Sequence, residues 1–233
     1  MSSRDIFLAA CNQLGDGLAE FGFKASQKGA CLKKASRNKD LTFEISFQSS
    51  TLNSNGYVKL LPHILITSKR LKKWLKEQTS DVYSNDTIYS NQLGYISHFQ
   101  EWKSWNVSGI SQEKTIAEVI DVIKTYAIPI FDLFEDTNNA IHFLMHKGTK
   151  FNRYTDKSLT PLAFMLCFAS KDEAQCFFDN YLIDAPGKRL LLNLYKELEG
   201  GKAVDLMHAE FVDAFAVKLA FLQGLNFLQG LKM

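Results

Sequence analysis

The chain has little of what membrane insertion, disulfide stapling or standard reaction chemistry writes into a sequence. No stretch approaches eighteen consecutive apolar residues, and MSSRDIF has no cationic segment leading into a long apolar run. A spanning helix and a secretory leader are therefore not expected, and a cytoplasmic protein is. Cys11, Cys31, Cys167 and Cys176 lack tight paired spacing, and Cys11 and Cys167 lie in apolar helical patterns, so a disulfide framework is not expected either. Asn85-Asp86-Thr87 and Asn106-Val107-Ser108 match the glycosylation pattern, which is incidental without a secretion route. The G-x-S-x-G elbow, the G-x-x-x-x-G-K-[ST] phosphate loop and the G-x-G-x-x-G turn are all missing, so no catalytic residue and no cofactor is assigned.

What is present is a strong folding pattern. At 46% hydrophobic and 22% charged residues over 233 positions, the chain is too apolar for disorder and large enough for one large domain or a domain with a substantial extension. Residues 41–50, LTFEISFQSS, alternate Leu41, Phe43, Ile45 and Phe47 with Thr42, Glu44, Ser46, Gln48 and Ser50. Period-two alternation predicts a strand with one face on a core and the other open to water or a partner. Residues 5–21 repeat apolar positions at helical spacing and end at Gly22; a first strand is expected over 29–34, with 37–40 as the turn. A further strand is expected over 57–67, peripheral or bulged at Pro62, followed by a small helix capped by Ser68. The tract 80–91 reads as loop and 93–99 as a strand, with Trp102 and Trp105 anchoring the loop that follows.

Residues 115–134 read as a helix kinked or divided at Pro129. Helical patterns then cover 159–168, 171–182, 188–198 and 203–222, while Gln223-Gly224-Leu225 and Gln229-Gly230-Leu231 are too short to make a repeat. The expected class is α+β, a mainly antiparallel sheet packed by helices. An α+β domain spans 1–140, and a helical extension packed on it spans 141–233.

Net charge is +2, yet residues 1–76 carry 13 basic and 5 acidic side chains while residues 77–233 carry 14 and 20. The basic groups gather around Lys33 and Lys34, and again at Lys69, Arg70 and Lys73. Such asymmetry can steer an acidic partner, or let the two halves attract each other. A candidate recognition surface is the polar side of the 41–50 strand, Glu44, Ser46 and Gln48, joined by Tyr57 or Lys59 from the next strand. The competing reading is a face that is solvated or covered by the C-terminal helices. Lysines with Tyr57 or Trp74 could instead hold phosphates and a stacked base, which makes nucleic acid a second partner class. His142 and His146 form an i,i+4 pair, with Glu135 and Asp136 upstream, but the intervening Phe143, Leu144 and Met145 lack metalloprotease chemistry and no third ligand is clear, so no metal is assigned. The competing reading places 141–145 against the core with both histidines at its boundary.

Phe21-Gly22-Phe23, then Phe43, Ile45, Phe47, Gln48 and Ser49, then Tyr57 and Val58, with a looser match through Leu93 and Trp102 into 115–134, resemble a family of bacterial proteins of unknown function. The resemblance covers about residues 1–140. It implies a compact α+β domain and, from members encoded in toxin–immunity neighbourhoods, a binding or immunity role. It carries no catalytic residues. The expectation is thus a noncatalytic protein-binding module, immunity-like, that meets an acidic protein through Lys33, Lys34, Glu44, Ser46, Gln48, Tyr57, Lys69, Arg70 and Lys73. A nucleic-acid-associated protein or an enzyme with a noncontiguous pocket are the alternatives, and the oligomeric state is left open.

Overall fold

The computed structural model describes residues 2–54, 56–79 and 85–227. In chain order these form α1 (Ser3–Gly17), β1 (Lys24–Ser26), β2 (Cys31–Ala35), β3 (Leu41–Ser49), β4 (Lys59–Ser68), α2 (Lys69–Gln78), β5 (Thr87–Gln92), β6 (Trp105–Asn106), α3 (Gln112–Val122), α4 (Ile128–Phe134), α5 (Thr137–Lys147), α6 (Leu162–Phe168), α7 (Lys171–Ile183), α8 (Lys188–Glu199) and α9 (Ala214–Leu222). The strands make one sheet in the order β1-β2-β3-β4-β5, with β6 also on β4, giving the expected α+β class. Among the described residues no helix is long and apolar enough to cross a membrane.

By contacts the chain divides into two compact units. The first comprises Met1–Thr67, Tyr89–Glu135 and Asn152–Thr155; the second comprises Ser68–Ile88, Asp136–Phe151 and Asp156–Met233.

In the first unit, α1 starts at a capping box in which Ser2 and Asp5 satisfy each other's backbone N–H groups. It ends at Gly17, before the expected boundary, where a Cβ would lie 2.4 Å from Ile120 of α3. A short 3₁₀ turn at Ala19–Phe21 follows, and Gly22, at φ +80°, closes that turn. The β2–β3 hairpin turns where expected: Asn38 Oδ1 accepts from the Ser36 hydroxyl and the Asp40 N–H, and Ser36 N–H donates to the Leu41 carbonyl. Alternation along β3 buries Leu41, Phe43, Ile45 and Phe47, and Phe43 meets Phe131 of α4 at 5.3 Å between ring centroids.

Three sequence expectations change. β4 is neither an edge strand nor broken at Pro62. The Pro62 carbonyl accepts from Leu93 N–H just past the end of β5, and β6 pairs with β4 at Lys59 and Leu60, so the strand runs on through the proline with neighbours on that side. The strand expected at 93–99 is instead a run of turns, and the described part of the tract expected as loop contains β5; residues 80–84 of that tract lie outside the described residues. The helix expected over 115–134, kinked or divided at Pro129, is present: a π turn at Ile123–Ala127 separates α3 from α4, with Ile128 N–H donating to the Ile123 carbonyl five residues back.

The second unit is built of α2 and α5 to α9 with the loops between them. Asp136 caps α5, Ser68 caps α2, and Ser170 with Glu173 forms a capping box on α7. Phe177, Phe178, Leu182, Phe164 and Leu194 fill its interior, and Phe227 packs on Phe178 and Tyr195. The helix expected over 203–222 begins only at Ala214. Asp205 accepts from the backbone of Met207 and His208, and the buried Lys218 ammonium takes the carbonyls of Asp205 (2.7 Å) and His208 (2.6 Å), which removes them from any helical ladder. Glu210 completes the cage at 2.7 Å, and the hydrogen bond from Lys218 brings its carboxyl down to about 2. Of the sequence resemblance between 223–225 and 229–231, the latter segment lies outside the described residues.

Candidate functional site: the outer face of the sheet

Register decides which side chains share a face. Lys33 is paired with Glu44, Cys31 with Ser46, and Lys34 with Phe43, so Lys33 and Lys34 project to opposite sides. Phe43 marks the helix-covered side. There Lys34 lies 5.9 Å from the Phe43 ring and 2.7 Å from Glu135, which also accepts Arg37 N–H. Burial pushes the Glu135 carboxyl up, but the Lys34 and Arg37 interactions outweigh it and hold it below its ordinary value. On the other side, Lys33 and Glu44 form a 2.7 Å cross-strand ion pair, Ser46 is half-buried and Gln48 is exposed.

β4 sorts in the same way. Leu60 is opposite Trp105, whose indole N–H donates to Glu118 of α3, so the even-numbered side belongs to the core. Leu61, His63, Leu65 and Thr67 therefore share the outer face with Lys33, Glu44 and Ser46. His63 lies edge-on to Trp102 at 5.5 Å, and Trp102 to Tyr95 at 6.3 Å. Trp102 is 54% exposed and Tyr95 45%, so Trp102 does not bury itself as the expected loop anchor; Trp105 does. His63 Nε2 is buried and has no hydrogen-bond partner among the described residues, and burial lowers its pKa.

The loop carrying these aromatics is rigidly tied. The buried Gln92 side chain accepts from Gly94 N–H (2.7 Å) and Lys103 N–H (3.3 Å) and donates to the Lys103 carbonyl (2.5 Å). Gly94 is required at the crossing, since a Cβ there would sit 2.2 Å from the Glu101 carbonyl oxygen. Asn152 donates to the Ile96 carbonyl from a third segment. Sequence reasoning missed this platform because its staple joins residues eleven apart; the proximity of Gln92, Gly94 and two tryptophans was the available signal.

Tyr57 is 49% exposed, with the Lys59 ammonium 5.5 Å from its ring centroid, beside a turn in which Asn53 accepts Lys59 N–H and donates to the Ser49 hydroxyl. Lys69, Arg70 and Lys73 belong to α2 in the second unit. Arg70 donates to the Cys167 carbonyl and lies 4.3 Å from the Phe168 ring centroid, while Lys73 reaches Glu77 at 3.8 Å. Charge also divides differently by unit than along the sequence: the first holds 12 basic and 11 acidic residues, the second 15 and 14, so each is +1.

All four cysteines are free; burial pushes the Cys11 thiol up to about 12 and raises Cys31 and Cys167, which disfavours the thiolate. His142 and His146 are exposed, 4.6 Å apart, beside buried Ile141 and Leu144; no group of three metal-capable side chains occurs among the described residues.

An antiparallel sheet with helices on one side and a stapled aromatic patch on the other defines an α+β protein with a presented sheet face. The chain belongs to the family described as Domain of unknown function (DUF4304), which matches residues 14–133 and so includes the residues of that face from Lys33 to Trp102. No curated protein and no solved structure matches the chain.

Proposed function

We propose that the protein is a noncatalytic protein-binding module that engages its partner through the outer sheet face. The observation that carries this reading is the exposure of Trp102 and Tyr95 on a loop held by Gln92: preorganised aromatic side chains are the residues around which protein interfaces concentrate their affinity. Lys33 and Lys59 flank the face, so the fitting partner offers an apolar centre with carboxylates at its rim. In its finer form, the reading is a cytoplasmic, bacterial, immunity-like protein that neutralises a toxin encoded nearby.

The test is titration of each neighbouring-gene effector against the protein and its Trp102→Ala and Lys33→Glu variants. Trp102→Ala is expected to weaken binding by at least about tenfold and Lys33→Glu mainly to slow association. A partner that binds both variants with unchanged affinity and rate, or effectors that never bind, would overturn the reading.

A second reading has its own observation. α2 exposes Lys69, Lys72, Lys73 and Lys76 around a partly buried Trp74, a surface that suits phosphates. Association with single-stranded nucleic acid that weakens steeply with salt supports it, and undetectable association at low salt removes it.

A further inference from the structure

Within the second unit, two cavities meet at one carboxylate. The smaller, about 230 Å³, lies among Leu75, Ala163, Leu219 and the hydroxyl-bearing Ser158 and Thr160. The larger, about 480 Å³, lies among Tyr181, Leu190, Leu191 and Phe211. Ser158, Val212 and Asp213 line both. The larger volume falls in the range of small-molecule sites, which join a mostly apolar lining to a few fixed polar groups.

Asp213 is the fixed polar group. It stands at the N-cap position of α9, yet its side chain caps no backbone N–H. The buried Tyr181 hydroxyl donates to it at 2.6 Å, and no cation partners it among the described residues. The lysine lining the larger cavity, Lys157, is held elsewhere, by the Asn180 carbonyl at 2.8 Å and Asp184 at 3.2 Å. Asp156 adds a second carboxylate to the lining. The cleft is thus apolar in its walls and anionic at its junction. Its outer wall, Phe211 to Asp213, follows the segment that Lys218 fastens through Asp205, His208 and Glu210, so the wall is positioned without a helix of its own.

We propose that this cleft binds a small organic cation, an amine whose ammonium pairs with Asp213 and donates to Ser158 while its apolar body lies against Leu190, Leu191 and Phe211. The chemistry of the junction makes the choice. A carboxylate or phosphate ligand would meet Asp213 and Asp156 with no uncommitted cation among the described residues that line the larger cavity, and a neutral apolar ligand would leave the Asp213 charge to be desolvated without compensation. An ammonium supplies the missing partner as a charge-assisted hydrogen bond in a site of reduced solvent access. The inference is independent of the sheet-face reading, because its residues belong to the second unit.

The experiment is calorimetric or ligand-observed NMR titration of the full chain with 2-phenylethylamine, hexylamine and tryptamine, compared with 2-phenylethanol and 3-phenylpropanoate. At least one amine is expected to bind at least about tenfold more tightly than the alcohol, and the carboxylate still more weakly. Asp213→Asn should lose about tenfold or more for the amine and little for the alcohol, whereas Tyr181→Phe, which keeps the carboxylate, should retain amine binding. Leu190→Trp, at an exposed rim position, should block the larger cavity with Asp213 intact. Circular dichroism of each variant establishes that it is folded. Equal binding of amine and alcohol, unchanged amine binding in folded Asp213→Asn or Leu190→Trp, or no binding by any of the three amines would overturn the proposal.

Discussion

The two compact units solve burial differently. In the first, a sheet places Phe43, Ile45 and Phe47 under helices, and its pleat sends every second residue to the other side, where Lys33 and Trp102 meet water. In the second, helices of unequal length pack with Phe177 and Phe178 inside, and an irregular wall leaves cavities at Asp213. The difference teaches that a pleated sheet leaves aromatic and charged side chains on its outer face, whereas irregularly joined helices leave half-open clefts of small-molecule size.

The sharpest way to break this comparison is to test the two sides of the sheet against each other. Phe131→Ala should destabilise by about 3–5 kcal/mol in urea titration, because its ring is buried between Phe43 and Phe23. Trp102→Ala on the outer face should cost about 1 kcal/mol. Equal losses would mean that the outer face is part of the core.

Next comes the wall of the second unit. Lys218→Met should cost about 2–4 kcal/mol, since it unfastens two carbonyls and a carboxylate from one buried ammonium. Lys202→Ala, whose pairs with Glu197 and Glu210 lie at the surface, should cost much less than Lys218→Met. A reversed order would remove Lys218 as the element that fixes the wall.

The smallest effect concerns pH. Burial holds His63 below its ordinary value of 6.5, so the unfolded chain binds that proton more readily. The contribution of His63 to stability is complete above that value and falls as pH drops below it. Urea titrations at pH 7.5 and 5.5 should show a larger loss for the natural chain than for His63→Gln, and equal losses would place His63 in water.

The antiparallel sheet, β3 and its apolar face, the β2–β3 turn, the Ser68-capped α2 and the helix at α7 were legible because each rests on residues close in sequence, whereas α5 was not expected as a helix. The recognition set was less so. Lys33 and Lys34 are adjacent in the chain, yet one joins Glu44 on the outer face and the other joins Glu135 on the inner. Lys69, Arg70 and Lys73 fall in the other unit. The platform under Trp102 needed Gln92 to reach Lys103, and the cleft needed Tyr181 to reach Asp213, contacts with no periodic trace.

By itself the sequence determined the α+β class and which face of β3 is apolar, since period and turn chemistry act over a few residues. Only the tertiary structure decided the grouping of charge. Basic and acidic halves of +8 and −6 in the sequence become two units of +1 each, because the folded chain passes between the units several times and Coulomb interaction depends on distance in space rather than along the chain. The same long-range closure set Trp102 outward and left Asp213 at the junction of two cavities.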